Sequence, residues 1–270
     1  MQSSNPVLTT RLGEAARQER SGSVGYAPPG YGAPGYAPPA TPSRMMTMDD
    51  VVIRTVALLA LTGIAGALSW VLLPASSPAV MVAAIIGSSI AGLVLGLVIS
   101  FARITNPFVI SIYAVVEGVL LGVVSRFFEE QYSGIVVQAV IGTFGVFAIM
   151  AVLYKMKVLR ATPRFTRMVI GALIGVVVLG LVNWIVALFG GNLGLIEYST
   201  TGKVGWLPIV FSLVCIVVGA LTFILDFDAV EKGVRYGLPE RYAWYCAFGL
   251  LVGLIFLYWQ ILRLLSYLRR

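Results

Sequence analysis

The sequence predicts an all-α polytopic membrane protein, a seven-transmembrane-helix bundle behind a disordered N-terminal arm. Three observations carry that prediction. Hydrophobic residues make up 59% of the 270 and charged residues only 11%, less than half the roughly 25% of a soluble domain. The apolar residues gather into runs close to the roughly 20 that a helix needs to cross hydrocarbon. Proline and most of the charged residues fall between those runs, where chain reversals belong.

The same totals exclude several chemistries. Histidine is absent, which removes the commonest metal ligand and general base. No Walker A loop or Gly-x-Ser-x-Gly elbow occurs. Cys215 and Cys246 lie inside apolar runs and read as small buried hydrophobes. The sequence therefore predicts no enzyme, no cofactor and no metal site. The net charge of +7 is spread between apolar runs and forms no aromatic-interleaved face, so it predicts membrane orientation and no nucleic-acid partner.

Residues 1–46 read as a Gly/Tyr/Pro-rich cytoplasmic arm and 47–270 as the transmembrane domain. The arm's Gly25-Tyr-Ala-Pro-Pro-Gly-Tyr-Gly-Ala-Pro-Gly-Tyr-Ala-Pro-Pro39 has no apolar periodicity to build a core, which predicts disorder with polyproline II character. Residues 1–43 hold no apolar run, so no cleaved signal peptide is expected. The tyrosines of the repeat leave two readings open, a dock for protein partners or an inert tail.

The predicted spans cover 55–73, 79–101, 107–125, 135–154, 168–189, 207–228 and 242–265. The first helix is expected to start earlier, at Thr47-Met-Asp-Asp50, where Thr47 caps and Asp50 stands three residues on. With the N-terminus inside, Arg44, Arg54, Arg103, the basic residues from Lys155 to Arg167, and Lys232, Arg235 and Arg241 share the inner side. Only Arg126, Lys203, Arg263, Arg269 and Arg270 lie outside. That bias predicts a cytoplasmic N-terminus, against which the basic C-terminus dissents. Trp70, Trp184, Trp206 and Trp259 fall toward outer ends, as an aromatic belt would. Four glycine pairs, Gly92/Gly96, Gly118/Gly122, Gly171/Gly175 and Gly249/Gly253, stand four apart on one helix face and predict close backbone approach.

Ionisable groups inside such a chain are functional candidates. Glu117 sits ten residues into the third run, either lining a polar cavity or serving as a neutral hydrogen-bonding acid. Arg103 ends the second run while Asp226 and Asp228 end the sixth, which puts a cation and two acids at one depth. The cluster reads either as a titrating latch or as helix ends in interfacial water. A carboxylate taken out of water holds its proton more tightly, and a nearby cation opposes this. Two residues apart on a helix, the two aspartates diverge by about 200°, so only one faces a given partner, and Asp226 is the deeper. That divergence also denies them the shared water of a catalytic dyad. With the turn centred near Tyr236, Asp226 is expected opposite Cys246 to Phe248. Gln260 is expected opposite Ser212, as a polar site of its own in the last helix.

From residue 50 to 270 the chain resembles the Bax inhibitor family, the transmembrane Bax-inhibitor-motif proteins, in its actinobacterial-type form. The resemblance rests on Tyr113-Ala-Val-Val-Glu-Gly-Val-Leu-Leu-Gly122, on Ile224-Leu-Asp226 and on Leu257-Tyr-Trp-Gln-Ile-Leu-Arg-Leu-Leu265, together with the seven spans. It implies a bundle with the last helix near its centre. It also implies a pH-sensitive calcium leak, and a latch in which an arginine of the second helix engages one aspartate on each of the last two. Arg103 and Asp226 match two of those positions. The third falls on Gln260 when the final-helix motif is aligned, and on Val252 or its neighbours when distance from Asp226 is; neither ionises. Asp228 is left as the second charge.

The expected function is thus a calcium or other cation leak channel of the plasma membrane, gated by carboxylate protonation at the cytoplasmic end of the sixth helix. Glu117 lines its path, and hard carboxylate oxygens suit calcium. The alternative is a non-conducting membrane stress or interaction protein that recruits partners through its arm and loops. A coupled transporter built from paired halves is set aside, since no internal repeat is visible.

Overall fold

The computed structural model describes residues 44–72, 78–191, 193–197 and 204–270. The arm's repeat, its expected disorder and its tyrosines lie outside them. Among the described residues seven helices are long and apolar enough to cross a membrane. They are α1 (Met48–Leu72), α2 (Pro78–Ala102), α3 (Pro107–Gln131), α4 (Ile135–Lys155), α5 (Pro163–Leu188), α6 (Trp206–Arg235) and α7 (Tyr242–Leu268).

Their starts follow from local chemistry. Thr47 and Asp50 form the expected reciprocal cap: the Asp50 amide donates to Thr47 Oγ1 at 3.2 Å and the Thr47 amide donates to Asp50 at 3.0 Å. Asn106 accepts from the Phe108 amide ahead of α3, and Thr162 accepts from the Phe165 amide ahead of α5. Each cap is followed by a proline at the first helical position, where the missing N–H would have had no partner. That cap starts α5 five residues earlier than the apolar run suggests.

Two helices also outrun their apolar stretches. Helix α3 continues through Arg126 to Gln131, because Arg126 pairs with Glu130 one turn on at 3.0 Å. Glu129 meanwhile accepts from the amides of Gly134 and Val136, which opens α4. Helix α6 continues past Asp228 to Arg235, carried by the pairs Asp228–Lys232 and Glu231–Arg235, each four residues apart. The charges read from sequence as loop are therefore helix, and only 236–241 turn.

The helices surround α7, which packs against α1, α3, α4 and α6. Half of α7's apolar window is buried against 11% of α2's, so α7 is the core and α2 the rim. Phe223, Leu250, Leu254, Leu257 and Leu262 fill the main hydrophobic cluster. Helix α2 packs on α3, and α5 on α6.

The glycine pairs divide in what they do. A Cβ on Gly118 would lie 2.5 Å from the Thr62 carbonyl oxygen, and one on Gly122 would overlap the Gly66 carbonyl and Ser69. Helices α1 and α3 therefore touch backbone to backbone, and the Ser69 hydroxyl bonds Gly66 O at 2.9 Å within α1 and Val119 O at 3.3 Å across the seam. Gly92 and Gly96 face Glu117 and Tyr113, and Gly253 seats the Phe223 ring. Gly171, Gly175 and Gly249 face open space and bring no backbone close.

Candidate functional site

The end of the bundle nearest residues 44–46 carries Arg54, Arg103, Asp226, Asp228, Glu231 and Glu240. Its frame is the turn from Tyr236 to Arg241 between α6 and α7. The segment before α1 pairs onto that turn as a short antiparallel bridge between Met45 and Pro239. The Met46 amide donates to Leu238 O at 2.8 Å, and the Glu240 amide donates to Arg44 O at 2.8 Å. Met46 is buried, with its terminal methyl over Gly233, where a Cβ would lie 2.7 Å from it.

Arg54, on α1, completes the clasp. Its guanidinium donates to the Glu240 carbonyl oxygen at 2.5 Å and to the Glu240 carboxylate, and it lies 5.3 Å from the centre of the Trp244 ring. Only 13% of the Arg54 side chain is exposed, so this ion pair is shielded more than a surface one. Arg54 and Glu240 are 186 residues apart, and sequence offers no cue that pairs them; Arg54 read only as one more inner charge.

Asp226 is half-buried on α6. Among the described residues it forms no hydrogen bond and no ion pair. It lies within electrostatic reach of Cys246 on α7. Asp228 instead holds Lys232 at 2.5 Å along its own helix. Glu231, next to it, accepts from the Tyr154 hydroxyl of α4 and from Arg235.

Arg103 sits just past α2 at the same end of the bundle, exposed, with a left-handed φ of 48°. The Ile104 amide returns to Ile99 O at 3.1 Å, so Arg103 occupies the helix-closing position that glycine usually takes. The Tyr245 hydroxyl donates to Ser100 O at 3.3 Å and ties this corner to α7. The structure thus brings Arg103 and Asp226 to one end without pairing them.

Glu117 lies on α3 against α2. A Cβ on Gly92 would be 2.5 Å from its Oε1, so the glycine is the space the carboxylate occupies. Its neighbour one turn earlier, Tyr113, stands beside it on the same helix face, and the Tyr113 ring meets Phe248 of α7 edge-on at 5.0 Å. The four-residue spacing from Tyr113 to Glu117 was a readable signal for this pair.

Gln260 is buried on α7, and its Oε1 has no hydrogen-bond partner. Gly219 meets the Phe256 ring and Gly253 meets the Phe223 ring, so α6 and α7 lie in close antiparallel contact. The extension of α6 to Arg235 moves the centre of the turn beyond Tyr236. Ser212 also keeps a buried hydroxyl without a partner.

Among the described residues no group of three or more Asp, Glu or Cys side chains is placed to hold a metal ion. A family model described as Bax inhibitor 1 like matches residues 5–270. No curated protein matches the chain.

Proposed function

The chain belongs to the Bax inhibitor 1-like family, and from that premise we propose that this multi-pass membrane protein is a pH-sensitive calcium leak. In this reading it lies in the plasma membrane with its N-terminus in the cytoplasm. It catalyses no reaction, and cations are its cargo. The observation that carries the reading is Asp226, an acid half-buried within a membrane-spanning helix with no ion pair among the described residues. An intramembrane acid in that setting is held by a proton, by a cation or by water, and exchange among these is what a pH-gated cation path requires. Glu117, seated against Gly92 on a different helix, supplies a second acid along the path.

Arg103 is the movable partner in this proposal. A left-handed backbone costs a non-glycine residue roughly 1–2 kcal/mol, and an outlier of that kind at the corner facing α7 argues that its side chain has work to do. Deprotonated Asp226 draws the exposed guanidinium and closes the path; protonation releases it. Asp228, already held by Lys232, contributes charge without being the primary contact.

The clasp between residues 44–46 and the α6–α7 turn favours a second reading, a non-conducting protein whose arm conveys partner binding to the elbow. Calcium flux into liposomes, followed from about pH 6 to 8 around the raised range of buried acids, separates the two. Conduction predicts flux whose pH profile flattens in Asp226→Asn, changes less in Asp228→Asn and falls in Glu117→Gln. Absence of flux at every pH in the wild type rejects the leak, and an unchanged profile in Asp226→Asn rejects the gate.

A further inference from the structure

The half of the bundle remote from residues 44–46 contains a pocket of ≈ 330 Å³ between α1, α3, α4 and α7. Neither Glu117 nor Asp226 lines it, so it is separate from the acids assigned to the ion path. We propose that it holds one acyl chain of a bilayer phospholipid.

Its lining favours carbon. The hydroxyls of Ser125 and Tyr258 bond each other at 2.6 Å, and Thr143 bonds Ala139 O at 2.8 Å, so these polar groups are already satisfied; the Thr62 hydroxyl has no partner among the described residues but is itself buried. Apolar cavities of this kind stay dry, and the lining of an empty one loses its contacts on one side. The volume falls in the range of ligand pockets, roughly 300–1,000 Å³.

The mouth faces the membrane. Helices α1 and α4 both line the pocket but do not pack against each other, so a gap runs between two membrane-spanning helices. Exposed Gly63 and Phe144 stand on its two sides. Phospholipid acyl chains fill the space outside such a gap.

The length fits one leaflet. From Leu59 to Trp70 the pocket follows eleven residues of α1, about 16 Å at 1.5 Å per residue and about half of a hydrocarbon core near 30 Å. Trp70 closes the far end, where an indole belongs at headgroup level, and the Arg126 guanidinium donates to its carbonyl at 2.8 Å. An indole beside an Arg126–Glu130 ion pair marks that level as polar, which suits a lipid headgroup and favours a phospholipid over an uncharged apolar solute. Gly63 keeps the channel open: a Cβ there would meet nothing within 4 Å, although glycine inside a helix costs about 1 kcal/mol relative to alanine.

The test uses the full chain in phosphatidylethanolamine and phosphatidylglycerol vesicles containing a phospholipid with a diazirine midway along one acyl chain. After illumination, adducts are mapped by peptide mass spectrometry. The proposal expects adducts on the 59–67 and 140–144 stretches several-fold above those at exposed Ile174 and Val178 of α5. Gly63→Leu, whose new side chain enters open space, is expected to remove that excess while α5 labelling and the unfolding midpoint stay unchanged. Val140→Trp, which narrows the mouth from α4, serves as an independent second variant and is expected to act likewise. Labelling no higher than on α5, or an excess that survives both variants, overturns the proposal. So does labelling by a diazirine fatty acid without labelling by the phospholipid.

Discussion

Replacing Gly118 by alanine tests the seam on which the bundle is built. A Cβ at that position lies 2.5 Å from the Thr62 carbonyl oxygen and 2.8 Å from the Ala65 Cβ, against an ordinary contact of at least 3.4 Å. The nearest atom is backbone inside a helix, so no rotamer relieves the overlap and α1 must retreat from α3 by about 0.9 Å, which forfeits a quarter to a half of each contact's attraction along the seam. Overpacking of this kind costs roughly 1–3 kcal/mol. Gly175→Ala is the matched control: same substitution, same type of helix, nothing within 4 Å, and an expected gain of up to about 1 kcal/mol from helix propensity. Unfolding midpoints in detergent, followed by tryptophan fluorescence, should therefore move in opposite directions for the two variants. Equal losses from both, or no loss from Gly118→Ala, would refute the backbone-contact reasoning.

Three further perturbations address the site. A double-mutant cycle on Arg54→Gln and Glu240→Gln should return a coupling of roughly 1 kcal/mol in stability, and additive effects would remove the clasp as an energetic unit. Gly92→Ala should push the Glu117 carboxylate out of its seat and alter calcium flux while shifting stability by less than about 0.5 kcal/mol; wild-type flux in this variant would take Glu117 off the path. Arg103→Gly should be more stable than Arg103→Ala by about 1 kcal/mol, since only glycine sits without strain at a left-handed helix end, yet both should lose the pH response of flux. Retention of that response in either would show that the guanidinium has no part in the gate.

The helices were legible because burying an apolar run in lipid depends on composition and length, which sequence displays directly. Local caps were legible for the same reason: Thr47 and Asp50 need only each other. Helix ends were less so, since Arg126–Glu130 and Asp228–Lys232 extend helices through residues whose polarity alone reads as loop. The longer α6 moves the α6–α7 turn beyond Tyr236. The glycine pairs look alike in sequence, yet Gly118/Gly122 touches backbone while Gly171/Gly175 touches nothing; which neighbour a face meets is a property of the whole bundle. Glu117, Asp226, Asp228, Arg103 and Gln260 were visible as polar residues in an apolar chain. What each meets was not, and Arg54–Glu240 was invisible because its members come from opposite ends of the chain.

The contacts also fix where this bundle can move. Helices α1 and α3 form one unit through their glycine seam, and α6 and α7 form another through Gly219, Phe223, Gly253 and Phe256. At the end near residues 44–46, Arg54, Met46 and the Met45–Pro239 bridge tie the two units together. At the far end α1 and α4 do not meet, and the pocket lies between them. Packed cores yield at interfaces before they deform internally. Relative motion of the two units therefore pivots on the clasp and changes the far gap most. Asp226 stands nine residues before the end of α6, about 13 Å from it at 1.5 Å per residue, between the clasped end and the open one.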